Sequence, residues 1–293
     1  MESRTIKFAK DPLFDARVLA AQAPYHEGIT LGRREEAIAL YDALLARFGT
    51  ATETPLRKLV AQALQNKGSI LHVLGRNEEA IAVYDDLLAR FSAATELPLR
   101  ELVAQTLRYK ALPLDELGRN EEAIAVCDDL LDRFGAATKA PLREQVATAL
   151  RYKMITLGRL GRPEEAIAVC DDLVARFGTA TEAPLREPVA RALFYKGIAL
   201  GALGRHQEAI AVYDDLLARF GTVTEALLHE PVAEALYNKG NALLTLGHRE
   251  EAIAVCDDLL ARFGTATEEP LRGAVATARS VKNAFAPSPL RTH

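Results

Sequence analysis

The stretch Gly204-Arg205-His206-Gln207-Glu208-Ala209-Ile210-Ala211-Val212-Tyr213-Asp214-Asp215-Leu216-Leu217-Ala218-Arg219-Phe220 occurs six times in the chain with small changes. Its closing phenylalanine falls at Phe48, Phe91, Phe134, Phe177, Phe220 and Phe263, each 43 residues after the last. The opening glycine keeps the same step, at Gly32, Gly75, Gly118, Gly161, Gly204 and Gly247. A fixed period of this size marks an array of small units, each of which buries its apolar face only against its neighbours.

Each unit carries two helical patterns. In the second, Ala80, Ile81, Tyr84, Leu87, Leu88 and Phe91 recur at steps of three or one. That is one stripe of an α-helix. Upstream, Leu56, Val60, Leu64, Gly68, Leu71 and Leu74 form another stripe, opened by Pro55. Proline suits the first turn of a helix, where its missing N–H costs nothing. Gly75-Arg76-Asn77 breaks the pattern between the two. Glycine follows the phenylalanine at Gly49, Gly135, Gly178, Gly221 and Gly264, with Ser92 the exception, and reads as a helix stop. No strand-like alternation occurs.

The expectation is an all-α chain of helix A, tight turn, helix B and longer loop, repeated six times from Pro12. A last helix A near Leu271 to Phe285 closes the array. That makes thirteen helices, with a loose leader over residues 1–11, a solenoid over 12–285 and a fraying tail over 286–293.

Half the residues are hydrophobic (49%), enough to build a core. The net charge of −4 gives no global pull toward nucleic acid. The opening Met1 to Lys7 lacks the apolar core of a secretory signal, and no apolar run is long enough to cross a bilayer. The expectation is therefore a cytoplasmic protein without nucleic-acid or membrane partners. Cys127, Cys170 and Cys256 share the slot that holds Tyr41, Tyr84 and Tyr213 in other units. A slot accepting Tyr or Cys on an apolar stripe is a packing position, so inert buried thiols are expected.

On the positions Leu64, Gly68, Leu71, Gly75, Ala80, Tyr84, Leu87 and Phe91, the unit resembles a tetratricopeptide repeat. Its 43-residue length is similar to the long repeats of the kinesin light chain type. The resemblance departs in a lysine ladder (Lys67, Lys110, Lys153, Lys196, Lys239, Lys282) at a position that is apolar in the family. It departs again where Leu227 replaces the proline of Pro55, Pro98, Pro141, Pro184 and Pro270. The resemblance implies a right-handed superhelix whose A helices line a concave groove. It also implies binding of peptides or proteins, not catalysis and without cofactor or metal.

The residues themselves offer little chemistry. The pairs Asp85-Asp86, Asp128-Asp129, Asp171-Asp172, Asp214-Asp215 and Asp257-Asp258 point about 100° apart on a helix, so they cannot converge on one atom. Asp86 lies four residues before Arg90, the spacing of a surface ion pair. Some of the set is expected to pair with the lysine ladder, because a half-buried lysine needs a carboxylate or room to snorkel. The six histidines show no metal-ligand spacing, and no phosphate loop, nucleophile elbow or zinc helix motif is present.

The A helices differ among themselves where the B helices are near copies. Carrying the family's groove positions over gives Gln62, Gln65, Ser69 and His72 in the second unit. The third gives Gln105, Arg108, Leu112 and Asp115. The fourth gives Arg151, Ile155 and Arg159. The fifth gives Arg191, Phe194 and Ile198, and the sixth Glu234, Tyr237, Asn241 and Leu244. A neighbouring ladder runs Asn66, Tyr109, Tyr152, Tyr195, Asn238. Arg108, Arg151 and Arg191 suggest a positive patch, with Phe194, Ile198 and Tyr237 as an apolar one beside it. The expected partner is an acidic segment with a bulky apolar residue, since arginine clamps carboxylates and aromatic residues anchor interfaces. Self-assembly through terminal units and a small-molecule sensor are the alternatives.

Finally, Pro113 and Pro24 fall within helix A patterns, and Ala111 and Met154 replace the small Gly68, Gly197 and Gly240. A proline inside a helix costs about 3 kcal/mol, and overfilling a glycine slot about 1–3 kcal/mol. A kink or wider helix spacing is therefore expected near 109–117 and 152–158.

Overall fold

The computed structural model describes residues 31–285 apart from 223–224 and 267–270. The expected leader, the first helix A with Pro24, Pro270 and the tail from 286 lie outside the described residues. Twelve helices follow one another: α1 (Leu31–Phe48), α2 (Thr54–Val73), α3 (Asn77–Phe91), α4 (Leu97–Glu116), α5 (Asn120–Phe134), α6 (Ala140–Arg159), α7 (Pro163–Phe177), α8 (Ala183–Ala202), α9 (His206–Phe220), α10 (Ala226–Thr245), α11 (Arg249–Phe263) and α12 (Leu271–Phe285). No strand occurs among the described residues. The chain is an α-solenoid of helical hairpins, and it divides into two compact units between Val146 and Ala147, inside α6.

The turn between helix A and helix B depends on glycine. Gly75, Gly118, Gly161, Gly204 and Gly247 have φ between 68° and 83°, a left-handed conformation that other residues adopt at about 1–2 kcal/mol. The chain then folds back over the helix end: the Gly75 amide donates to His72 O and the Arg76 amide to Leu71 O, satisfying carbonyls the helix would leave bare. The glycines after the phenylalanines work differently. Gly135, Gly178, Gly221 and Gly264 stay right-handed, and so does Ser92 in the same role. Helix B ends where the sequence places its end, but without a left-handed stop.

In the first unit, α2 packs on α1, α3 and α4, and α4 packs on α3 and α5. Leu64, Leu71, Tyr84, Leu87, Leu99, Leu107, Leu114 and Leu130 are fully buried there. In the second unit, α8 packs on α7, α9 and α10, while α10 packs on α9, α11 and α12. Successive A helices therefore touch directly.

The packing inside a hairpin is set by one pair of positions. A Cβ added at Gly68 would lie 2.4 Å from the Tyr84 ring, and one at Gly197 would lie 2.3 Å from the Tyr213 ring. Tyrosine on helix B fills the space that a side chain on helix A would need. Where helix B carries cysteine, the space opens. At Gly240 an added Cβ would meet Cys256 Sγ only at 3.9 Å, and Met154 fills the same slot with its Sδ 3.5 Å from Cys170 Sγ. Ala111, with Cys127 opposite in the repeat, follows the rule. The wider spacing expected around Met154 thus has no steric cause, because the large residue has moved from helix B to helix A. Nor does Pro113 interrupt α4, which runs for the same twenty residues as α2, α6, α8 and α10. Pro188 and Pro231 also sit inside helices.

The aspartate pairs divide their duties. The first aspartate of a pair reaches the lysine of the next helix A, as in Asp85–Lys110, Asp171–Lys196, Asp214–Lys239 and Asp257–Lys282, and the single Asp42 reaches Lys67 in the same way, all at 2.5–2.6 Å. The second pairs with the arginine four residues on, as in Asp86–Arg90 at 2.7 Å and Asp215–Arg219 at 2.8 Å. That arginine extends to the preceding hairpin, where Arg90 donates to Gly49 O and Arg219 to Gly178 O. Pairs as exposed as these contribute about 0–1 kcal/mol each, so they set register more than stability.

The tyrosine–glycine pair predicts strong coupling. Gly68→Ala should destabilise the chain by about 1–3 kcal/mol, and the same change in a Tyr84→Cys background should cost much less. A double-mutant cycle from urea unfolding midpoints measures this; additive effects would show that Tyr84 does not close the slot.

Candidate functional site

The candidate face is formed by the A helices. Its sequence-derived residues fall into three groups. Gln65, Ser69 and Phe194 are buried, at 5–7% exposure. Gln65 Nε2 donates to Gln105 Oε1 at 3.3 Å and points at Thr106 Oγ1 at 3.5 Å. Ser69 Oγ lies 3.2 Å from Tyr84 Oη. The Phe194 ring stands 5.2 Å from the Tyr195 ring. Gln65 and Ser69 link neighbouring helices, and the surface of all three side chains is buried inside the stack.

A second group is half-buried and already engaged. The Asn66 side chain hydrogen-bonds Tyr41, and Asn238 Nδ2 donates to its own helix at Glu234 O. The Arg108 guanidinium lies 4.1 Å over the Tyr109 ring and donates to Gln145. Arg151 Nη1 stands 3.8 Å from Glu187. Arg191 pairs with Glu187 and, at 2.9 Å, with Glu230. The expected positive patch is therefore charge-compensated from within around Arg151 and Arg191. Glu187 and Glu230 are the residues the sequence reading missed. Glu187 lies four before Arg191 on the same helix, a spacing that signals an ion pair.

The third group remains accessible. Ile198 is 40% exposed, Arg159 is exposed at the end of α6 with a contact to Thr156 Oγ1, and Tyr152, Tyr195, Tyr237 and Asn241 are half-buried. Within the second unit, α8 and α10 together present Tyr195, Ile198, Tyr237, Asn238 and Asn241.

Electrostatics on α10 are unusual. Glu234 sits one turn after Glu230. Desolvation raises its carboxyl above the ordinary range, Glu230 raises it further, and Arg191 offsets part of this. Burial also pushes the Tyr195 hydroxyl up. Elsewhere, burial pushes the Cys170 thiol up to about 12, so this sulfur is a packing atom and not a nucleophile. All three cysteines are buried and outside any disulfide. Among the described residues, no group of His, Cys, Asp or Glu is arranged to hold a metal ion, and no helix is long and apolar enough to cross a membrane.

Tetratricopeptide-repeat models match residues 29–96, 155–222 and 233–262, which together span more than half the chain. The chain is a tetratricopeptide-repeat protein. Among solved structures, the tetratricopeptide-repeat chain resembles BtubC (BKLC) from P. vanneervenii, with TM-score 0.60 at 14% identity, covering 97% of both chains. It also resembles the nearly identical TPR-like repeats of a Podosopora anserina chain assigned as a kinesin light chain, with TM-score 0.51 at 14% identity, covering 75% of this chain and 96% of that one. The apo form of RapI matches with TM-score 0.55 at 10% identity, covering 92% of this chain and 99% of that chain. Such distant likenesses speak to the fold alone. No curated protein sequence matches the chain.

The position of Glu234 has a measurable consequence. A carboxylate raised in the folded state favours the protonated form, so its stabilising contribution is present below the ordinary carboxylate pKa and is lost as pH rises through the folded value. At pH 7 the charged Glu234 is a cost. Glu234→Gln should therefore raise the unfolding free energy at pH 7 by up to about 1 kcal/mol and leave it unchanged at pH 3.5. Equal stability at pH 7 would show that Glu234 is fully solvated.

Proposed function

We propose that this tetratricopeptide-repeat protein is a non-catalytic scaffold that binds a peptide or partner protein along the face lined by its A helices. The single observation that supports this most is the contrast between the two helix types. The B helices repeat one sequence and spend their polar residues on ladders between hairpins. The A helices of the second unit carry Tyr195, Ile198, Tyr237, Asn238 and Asn241 with no such common pattern. A rigid stack holds these side chains in place before a partner arrives, which lowers the ordering cost of binding.

The partner's chemistry follows from what the face leaves over. Ile198 and the neighbouring tyrosines favour a bulky apolar residue. The acidic segment read from Arg108, Arg151 and Arg191 has weaker support, because a partner carboxylate would have to compete with Glu187 and Glu230. The buried free thiols suit a reducing compartment, and we place the protein in the cytoplasm on that ground.

Affinity capture followed by mass spectrometry tests the reading with paired variants. Ile198→Asp combined with Tyr237→Ala should weaken the captured partner at least tenfold, about 1.4 kcal/mol. Ala82→Glu, on the exposed side of α3, should leave binding unchanged. Capture that survives the A-face variant and fails with the B-face variant would overturn the proposal.

A further inference from the structure

Away from the A-helix face, each hairpin meets the next at the loop that follows helix B. There an arginine near the start of helix A lies over the closing phenylalanine of the same unit's helix B. Arg57 stands 5.8 Å from the Phe91 ring centre, Arg100 5.5 Å from Phe134, and Arg186 5.9 Å from Phe220. The stacked arginine has its own counter-ion in two of these cases. Arg57 Nη1 bonds Glu96 Oε1 at 2.7 Å, and Arg186 bonds Glu225; in both the glutamate comes 39 residues after the arginine.

The residue 39 after Arg100 is Lys139. The repeat has replaced the carboxylate with a second cation at this one junction, directly before α6. A positive charge is also disfavoured there by the helix dipole. No ion pair or hydrogen bond from the Arg100 guanidinium is recorded among the described residues, so its contact is the Phe134 ring. Beside it lies an open pocket of about 200 Å³ lined by Ser92, Ala94, Arg100, Val103, Arg133 and Phe134. Arg133 is held by Asp129 at 2.6 Å, which leaves Arg100 as the lining arginine without a counter-ion among the described residues. The equivalent pocket in the second unit, bounded by Gly178, Arg186, Val189, Arg219 and Phe220, has its arginine occupied by Glu225.

We propose that the Arg100–Lys139 junction is a binding site for a carboxylate side chain of a partner protein, which takes the place that Glu96 and Glu225 fill from within the chain at the other junctions. The guanidinium is preorganised by the phenylalanine beneath it, and it can take a carboxylate through two parallel hydrogen bonds. Lys139 stands at the sequence position of the counter-ion and adds a second positive charge to this junction. This site is separate from the A-helix face and does not rest on that face being used.

The full chain with a tri-glutamate peptide as probe tests the assignment, read by NMR at the arginine Nε–Hε resonances. The Arg100 resonance should shift and saturate, while those of Arg57 and Arg186 stay within error. Lys139→Glu restores the internal pair; it should abolish the Arg100 response and raise the melting temperature by about 1–3 °C. Glu225→Lys should create the same response at Arg186. Equal shifts at all three arginines, or an undiminished Arg100 response in Lys139→Glu, would overturn the site. Inorganic phosphate moving Arg100 more than the peptide at equal concentration would overturn the partner-carboxylate assignment in favour of a free anion. Because Ile198 and Tyr237 play no part in this titration, its outcome is independent of the A-face capture experiment.

Discussion

Two facing positions sixteen residues apart govern each hairpin. Opposite Tyr84 and Tyr213 on helix B, helix A carries glycine, because the ring occupies the volume in which a Cβ would stand. Where helix B carries cysteine, helix A is free to carry glycine, alanine or methionine. The large residues face small ones: tyrosine at 84 and 213 faces glycine, and Met154 faces Cys170. This follows from close packing, which tolerates exchanged volume better than added volume. Everything else in the repeat serves that contact: the left-handed glycine turns the chain back so the two stripes meet, and the lysine–aspartate ladder keeps the next hairpin in register.

The fold was legible because the period, the stripes and the turn glycines are properties of the chain itself. The exchange at Met154 and Cys170 is not legible from either residue alone, although both are plain in the sequence. Taken alone, Met154 overfills a glycine slot. Only the facing of helices shows that Cys170 has vacated the space. Pro113 lies inside α4, which continues through it.

The candidate face was harder to read, for a physical reason. Position in a repeat says which helix carries a residue, but not whether its neighbours have already used it. Gln65 and Ser69 look like offered polar groups until Gln105 and Tyr84 are seen beside them. Arg191 looks like a clamp for a partner until Glu187 and Glu230 are found on it. Lys139 shows the converse: a change that reads as one more surface charge removes the internal partner of Arg100. The rule broken at a single junction carries more information about contacts than the rule obeyed at the others.

The central claim is that the slot between helix A and helix B is dry, filled by the ring where helix B carries tyrosine and lined by a buried thiol where it carries cysteine. Thiol reactivity measures this directly, because Cys127, Cys170 and Cys256 occupy that slot. The account predicts that a disulfide reagent at pH 8 modifies none of the three in the folded chain faster than the chain unfolds, and all three at once in denaturant. Prompt modification of Cys170 in the folded protein, at the rate of an exposed thiol, would contradict it.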